Sequence, residues 1–395
     1  MKRADSYILA FNAGSSSFKF KLFDAVTLNM HQSGVVNFSN GKQLDWNIQG
    51  ASNQIIDFKP SDKEQGLNPI EQVVFGIKLL LKGLSLMAIG HRIVQGGQEY
   101  MNPVLINSKV LNDFEKNVYL APNHLKMEVD LIRKFSLAFP HVTQVACFDT
   151  CFHQHMPPNA RYYPFPDKFR SQGLIRYGFH GLSYEYIMGK LAEQILHPAR
   201  RKIIIAHLGN GASMTAVKDG VGVDTTMGLS PMGGLMMGNR PGDLDPGVPL
   251  FLMKQERMDH IQLEKFLNKN SGLTGMTGTN DVRILLHLEN TDQNAREAIS
   301  LFCYHCCKSI GALSAAMGGL DTLVFTGGIG ANSAAVRERI CHDLGFLGII
   351  LDTESNHNQK EIISAENSWV TVCAFETNEE QIIAQHTSHI LYIKK

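Results

Sequence analysis

Two arginines in this chain stand beside glycine corners. Arg92 lies near the end of the apolar run Ala88-Ile89-Gly90-His91-Arg92-Ile93-Val94, just before Gln95-Gly96-Gly97, and Arg240 lies within Gly238-Asn239-Arg240-Pro241-Gly242-Asp243. A guanidinium offers forked donors that match carboxylate and phosphate oxygens. Asp149 closes another apolar run, Val142 to Asp149, and a carboxylate at a strand end points into whatever cleft the sheet edge forms. The run from Ile203 to Leu208 turns at Gly209-Asn210-Gly211, where backbone N–H groups can approach an anion with no side chain in the way. A similar corner, Gly327-Gly328-Ile329-Gly330, follows the run from Asp321 to Thr326. One glycine-rich loop is weak support for phosphate binding, but several in one chain carry weight.

Elements of regular structure must hold these residues. Tyr7 to Phe11 reads as a buried strand, Asn12 to Ser17 as a hydroxyl-rich turn, and Phe18 to Phe23 as an alternating return strand. Residues 24 to 66 are polar and mixed, which predicts short strands and loops. Apolar spacing predicts helices over Ile70 to Leu86, Val110 to Lys134 with a break near Ala121-Pro122-Asn123-His124, Ser183 to Glu193, Leu250 to Leu267, Ala295 to Met317 and Ala334 to Leu344. Trp369 to Phe375 reads as a strand, and Thr377 or Asn378 caps a final helix with carboxylates in its first turn. Prolines 157, 158, 164 and 166 mark a domain boundary near residue 150. The hairpin at Ile8 to Phe23 is echoed at Ile204 to Val217, which suggests two related domains.

Bulk composition narrows the functional classes. A length of 395 residues, 44% of them apolar and 19% charged, suits a globular chain of two or three domains with a sizeable core. The 37 basic and 37 acidic residues cancel, so no global charge favours nucleic acid or an anionic membrane, and any anion must be held locally. The 7 cysteines, an odd and scattered set, fit a reducing compartment, with Cys303, Cys306 and Cys307 as thiols on a helix. The apolar run after the basic start is too short for a signal sequence, and no stretch approaches the roughly 18 apolar residues of a membrane span. A cytoplasmic location is expected.

The strings Asn12-Ala13-Gly14-Ser15-Ser16-Ser17-Phe18-Lys19 and Asp224-Thr225-Thr226-Met227-Gly228-Leu229-Ser230-Pro231, the latter followed by Met232-Gly233-Gly234, resemble the two signatures of the acetate kinase family. His91-Arg92, Phe148-Asp149-Thr150, Tyr177-Gly178-Phe179-His180-Gly181, Asn239-Arg240 and Thr377-Asn378-Glu379-Glu380 follow in that family's order, so the resemblance spans nearly the whole chain. It implies an α/β fold of two related domains of the actin-like ATPase (ribonuclease H-like) type with an interdomain cleft. Residues 1–150 and a C-terminal helix over 380–395 would form the N-terminal domain, and 151–379 the nucleotide-binding and dimerisation domain. It also implies a homodimer and reversible, Mg²⁺-dependent phosphoryl transfer from ATP to acetate, giving acetyl phosphate and ADP, with Mn²⁺ as a substitute ion.

Carried onto this chain, the resemblance makes Arg92, Asp149, His180 and Arg240 the catalytic set. Arg92, Val94, Asn123, His124, Phe179 and Pro231 would surround the short carboxylate. Asn12, Ser15, Ser17, Lys19, His207, Leu208, Gly209, Asn210, Gly211, Asp281, Val282, Arg283, Gly328, Ile329, Gly330 and Asn332 would bind ATP. Asn12, Asp149 and Glu379 would serve the metal, although Glu379 also reads as a helix cap. A carboxylate acceptor, with a pKa of about 4 to 5, is already ionised at neutral pH, so no base is needed and direct in-line transfer suffices. The chain departs from the family at Asn123, where an apolar residue is usual, at Tyr184, where a histidine is usual, and at Ala331, where a glutamate is frequent. Propionate is the alternative acceptor. An ATP-binding module that opens and closes for a partner is the alternative of another class.

Overall fold

In a computed structural model, described over residues 6–14, 17–39, 43–52, 54–58, 67–194 and 201–393, the chain forms two units. One holds Met1–Cys151 with Asn378–Lys395, the other Phe152–Thr377. In the first, the apolar run after Ser6 makes β1 (Ser6–Ala13), whose residues are buried almost throughout because the sheet is covered on both faces. It pairs antiparallel with β2 (Ser17–Asp24), and β2 with β3 (Met30–Ser39). On its other edge β1 runs parallel to β6 (Ser85–Ile93), and β6 to β8 (Thr143–Phe148). β4 (Gln43–Gly50), β5 (Ile55–Ile56) and β7 (Val104–Leu105) complete the order β5-β4-β3-β2-β1-β6-β8-β7.

The second unit repeats the central pattern. β9 (Ile203–Leu208) pairs antiparallel with β10 (Ala212–Lys218), and β10 with β11 (Val221–Thr225). β9 then runs parallel to β12 (Thr322–Thr326), and β12 to β13 (Thr371–Ala374). Orders β3-β2-β1-β6-β8 and β11-β10-β9-β12-β13 therefore have the same alternation of antiparallel and parallel pairing. The echo between the two hairpins marks a duplicated sheet.

In the first unit the core joins Leu9, Phe11, Phe20 and Ile89 to Val73 and Phe135 on the helices Pro69–Leu80 and Pro122–Ala138. The last helix, Glu379–Ile393, lies on β1 and β6. In the second unit Tyr184, Ile187 and Leu191 of the helix Gly181–Gln194 pack on Ile203, Ile205 and Val324. No helix among the described residues is long and apolar enough to cross a membrane.

Several expected boundaries are corrected. Part of residues 24–66 forms the long strands β3 and β4; buried Gln32 interrupts the apolar face of β3, while β4 alternates Leu44, Trp46 and Ile48 inward with exposed Asp45, Asn47 and Gln49. The helix expected to reach Leu86 stops at Leu80, because Gly83 (φ +90) makes a left-handed turn into β6. The single helix expected over Leu250 to Leu267 is two, Gly247–Gln255 and His260–Lys269, since Arg257 adopts φ +54 and Asp259 caps the second with a reciprocal Gln262 bond. Trp369 precedes β13 and is 90% exposed. At the final helix, Asn378 Oδ1 accepts the Gln381 N–H at 3.3 Å.

A Cβ on Gly90 would lie 2.2 Å from Thr387 Oγ1 and 2.5 Å from Ile383 Cγ2, so the bare backbone is what lets the last helix seat on β6. Gly90→Ala is expected to destabilise the protein by about 1–3 kcal/mol in urea unfolding; an unchanged midpoint would contradict this seating.

Burial lowers His91 to about 4, against a raising bond to Gln144, and lowers His153 to about 3, helped by Arg176. Both imidazoles are neutral in the fold, whereas the unfolded chain takes up their protons near pH 6.5. Stability should therefore fall as pH drops below about 6.5, since the two histidines outweigh the opposite contribution of Glu128, whose carboxyl burial raises to about 8. Calorimetric melting temperatures measured from pH 7 to pH 5 should decline; a flat profile over that window would refute the linkage.

Candidate active site

In the first unit, neighbouring strand ends bring Asn12, Arg92 and Asp149 together. Parallel pairing of β6 with β8 sets Ile93 beside Phe148, and the Asp149 N–H donates to Ile93 O at 3.0 Å. Arg92 Nε donates to Asp149 Oδ1 at 3.1 Å and Oδ2 at 3.0 Å, and its Nη2 reaches Oδ2 at 2.5 Å. Arg92 Nη1 donates to Asn12 Oδ1 at 3.3 Å. Asn12 Nδ2 in turn donates to Glu379 Oε2 at 2.9 Å and Glu380 Oε1 at 3.0 Å. Lys21 Nζ pairs with Glu380 at 3.4 Å and donates to Asn378 Oδ1 at 2.7 Å, tying β2 to the first turn of the last helix. Burial would lower the Arg92 pKa, but the Asp149 and Glu379 carboxylates raise it further, so the guanidinium is a fixed cation.

Around this network, Val94 is buried and its N–H donates to both Glu128 oxygens, at 3.3 and 3.2 Å. Glu128 is buried on the helix Pro122–Ala138, and burial pushes its carboxyl up to about 8 even though Arg92 opposes the shift. His124 is half-buried in the first turn of the same helix. Asn123 lies there too, but its side chain falls outside the described residues, as does Ser15 altogether. Ser17 begins β2, and its carbonyl accepts the Gly14 N–H at 2.9 Å. Lys19 is exposed on β2 opposite Asn12.

The second unit gathers His180, His207 and Arg240. His180 has φ +60, a left-handed backbone at the start of the helix Gly181–Gln194. Its Nδ1 shares a hydrogen with Ser213 Oγ at 2.7 Å, and the Tyr184 hydroxyl bonds the same oxygen. His207 Nδ1 is paired likewise with Ser183 Oγ at 2.8 Å, and the two imidazoles stack with centroids 4.3 Å apart. A Cβ on Gly211 would meet Arg240 Nη2 at 2.9 Å and His180 Nε2 at 3.3 Å. A backbone turn, a guanidinium and an imidazole thus converge where only glycine leaves room. Arg240 Nη1 donates to the Pro231 carbonyl, and Phe179 is buried beside His180.

A cavity of about 740 Å³ opens in the same unit, lined by Gly209, Asn210, Asp281, Val282, Arg283, Gly328, Ile329 and Asn332 among others. Asn280 Nδ2 bridges Asn210 Oδ1 at 2.9 Å and Asn239 Oδ1 at 3.0 Å, linking this wall to the Arg240 loop. Asp281 caps the helix Val282–Leu288 and grips the Arg283 guanidinium, which holds its carboxyl down at about 2. Leu208 and Gly330 are buried and do not line the cavity; a Cβ on Gly330 would lie 3.4 Å from Ala206 O. A second cavity of about 760 Å³ lies between the helices Gln293–Met317 and Ala334–His342. Its arginines are held within the chain, Arg339 by the Glu289 carboxylate and Arg296 by the Glu289 and Asn290 carbonyls, as Arg283 is held by Asp281 in the first cavity; what sets the first cavity apart is the glycines of its wall, Gly209 and Gly328.

Sequence reasoning missed several contributors. Ser213 and Ser183 lock the histidine rings, but one serine among many carries no signal in a single sequence. Tyr184 fills its unusual position by reaching the oxygen that holds His180. Arg337 is fully buried and donates to the carbonyls of Gly330 at 2.9 Å and Ala331 at 2.7 Å, so it fixes the end of the short helix Gly327–Asn332 beside the cavity. Glu128, one helical turn after His124, was the one with a readable spacing.

The acetokinase family model matches residues 7–385. The acetate kinase of Nitrobacter hamburgensis is 40% identical over 394 residues, covering 97% of this chain and 96% of that protein. Among solved structures, a propionate kinase from Francisella tularensis superposes with TM-score 0.88 at 35% identity, covering 97% of this chain and 99% of that one. The Porphyromonas gingivalis acetate kinase does so with TM-score 0.84 at 34% identity, covering 98% and 100%. With its duplicated sheet and these matches over almost its whole length, the chain belongs to the acetokinase family.

Proposed function

We propose that this protein transfers the γ-phosphoryl group of ATP reversibly to acetate, forming acetyl phosphate and ADP by direct in-line displacement. One observation carries this reading: both oxygens of Asp149 accept hydrogen bonds from Arg92. A carboxylate held that way is a poor proton acceptor, and a sugar hydroxyl would need one. An acceptor that is already ionised does not.

The residues divide the work. Arg92 and Arg240 offer forked donors to the acetate carboxylate and the transferring phosphoryl group, while His180 Nε2 steadies charge on its equatorial oxygens. Val94, Asn123, His124, Phe179 and Pro231 surround the methyl group. The turn at His207 to Gly211, with Asn12, Ser15, Ser17 and Lys19, serves the ATP phosphates. Asp281 to Arg283 and Gly328 to Asn332 serve its nucleoside. Asp149, Glu379 and Asn12 supply only oxygen donors, the chemistry Mg²⁺ or Mn²⁺ prefers; because Asp149 and Asn12 Oδ1 already serve Arg92, they fit an ion that keeps part of its water shell. When bound, that ion neutralises charge on the phosphate oxygens. A cytoplasmic homodimer completes the reading.

Propionate is the competing acceptor, favoured by the likeness to the Francisella propionate kinase. One methylene is worth roughly 1–3 kcal/mol in an apolar pocket. Trapping acyl phosphate with hydroxylamine should give kcat/KM falling by about tenfold or more from acetate to propionate and again to butyrate. A propionate preference would overturn acetate as the acceptor, and no hydroxamate from any of the three would overturn the kinase reading.

Arg240→Ala should lower kcat at least about a hundredfold with ATP binding little changed, as expected for a group that meets developing charge. Turnover near wild type would refute its role.

A further inference from the structure

The end of β6 and the helix Pro122–Ala138 are joined by one buried side chain that the mechanism does not use. Glu128 is 2% exposed, and both its oxygens face the Val94 N–H. Val94 has no strand partner there, since β6 ends at Ile93, so its amide would otherwise be buried without an acceptor. Arg92 lies two residues earlier on the same strand, and Asn123 and His124 lie one turn earlier on the same helix as Glu128. This hydrogen bond therefore ties the strand end to the helix one turn beyond Asn123 and His124.

We propose that Glu128 is the positioning residue that fixes the width of the carboxylate pocket, by tying the helix that bears Asn123 and His124 to the backbone of Val94. The proposal rests on the reading that Val94, Asn123 and His124 surround the acceptor. A longer or looser tether widens the pocket, weakening the grip on a two-carbon acid and relaxing rejection of a three-carbon one. The charge of Glu128 is not what matters. Its burial, which favours the neutral carboxyl over Arg92's opposing pull, means that an amide of the same length can replace it.

Glu128→Ala should raise the acetate KM about tenfold or more and narrow the acetate-to-propionate kcat/KM ratio. The kcat for acetate should stay within about threefold and the KM for ATP should not move. Glu128→Gln, which keeps an acceptor oxygen at the same reach, should restore the acetate KM to within about threefold of wild type. Should the alanine variant fail to fold, Glu128→Asp, whose carboxylate is withdrawn by one methylene from a contact already 3.2 Å long, loses the tether and carries the same expectation. An acetate KM and selectivity unchanged in the alanine or aspartate variant would overturn the proposal, and so would a glutamine variant as impaired as the alanine one. Amide hydrogen exchange at Val94 reads the tether without any substrate: exchange at least about tenfold faster in Glu128→Ala supports it, and unchanged exchange refutes it. That readout stands even if no short carboxylate is phosphorylated, so the failure of the function and the failure of the tether are distinct results.

Discussion

A guanidinium taken out of water must have its donors met by carboxylates or other oxygen acceptors. Arg92 is 14% exposed and Asp149 1%, and their bidentate pairing is the constraint on which the first unit's site depends. Asn12 extends the pairing by accepting from Arg92 and donating to Glu379 and Glu380. Those carboxylates stand in the first turn of the last helix, where the helix dipole favours negative charge. Four segments far apart in sequence are thereby fixed by one charge network. The seating of the last helix on Gly90 is part of the same arrangement, since it sets where Glu379 begins.

The second unit uses hydroxyl–imidazole hydrogen bonds for the same end. Hydroxyls of Ser213 and Ser183 occupy the Nδ1 atoms of His180 and His207, leaving each Nε2 beside a glycine of the turn, Gly211 for His180 and Gly209 for His207. The left-handed backbone at His180 is a strain that this locking holds in place. Rings fixed in this way need no rearrangement to meet charge that develops during transfer, which is the condition for electrostatic catalysis.

Much of this was readable in the residues. The glycine corners, the arginines beside them and the strand-ending aspartate are local features, and a local feature survives without knowledge of the fold. The doubled hairpin was visible for the same reason, whereas the shared strand order was not, because β12 pairs with β9, and β13 with β12, across long stretches of chain. Asp259, Arg257 and Gly83 redrew helix ends through caps and left-handed turns that apolar spacing alone does not report. Ser213 and Arg337 were hidden because their roles come from what they touch: a ring nitrogen and two carbonyls of the short helix Gly327–Asn332. No pattern in one sequence encodes those partners.

The central claim is that fixed charges suffice and that the phosphoryl group passes from ATP to the acceptor in one step. Isotopically chiral γ-phosphorus reads this directly. Transfer from ATP bearing three oxygen isotopes on the γ-phosphorus, followed by stereochemical analysis of the acyl phosphate, should give inversion, the outcome of a single in-line displacement. Retention would mean two displacements through a phosphorylated side chain and would contradict the account.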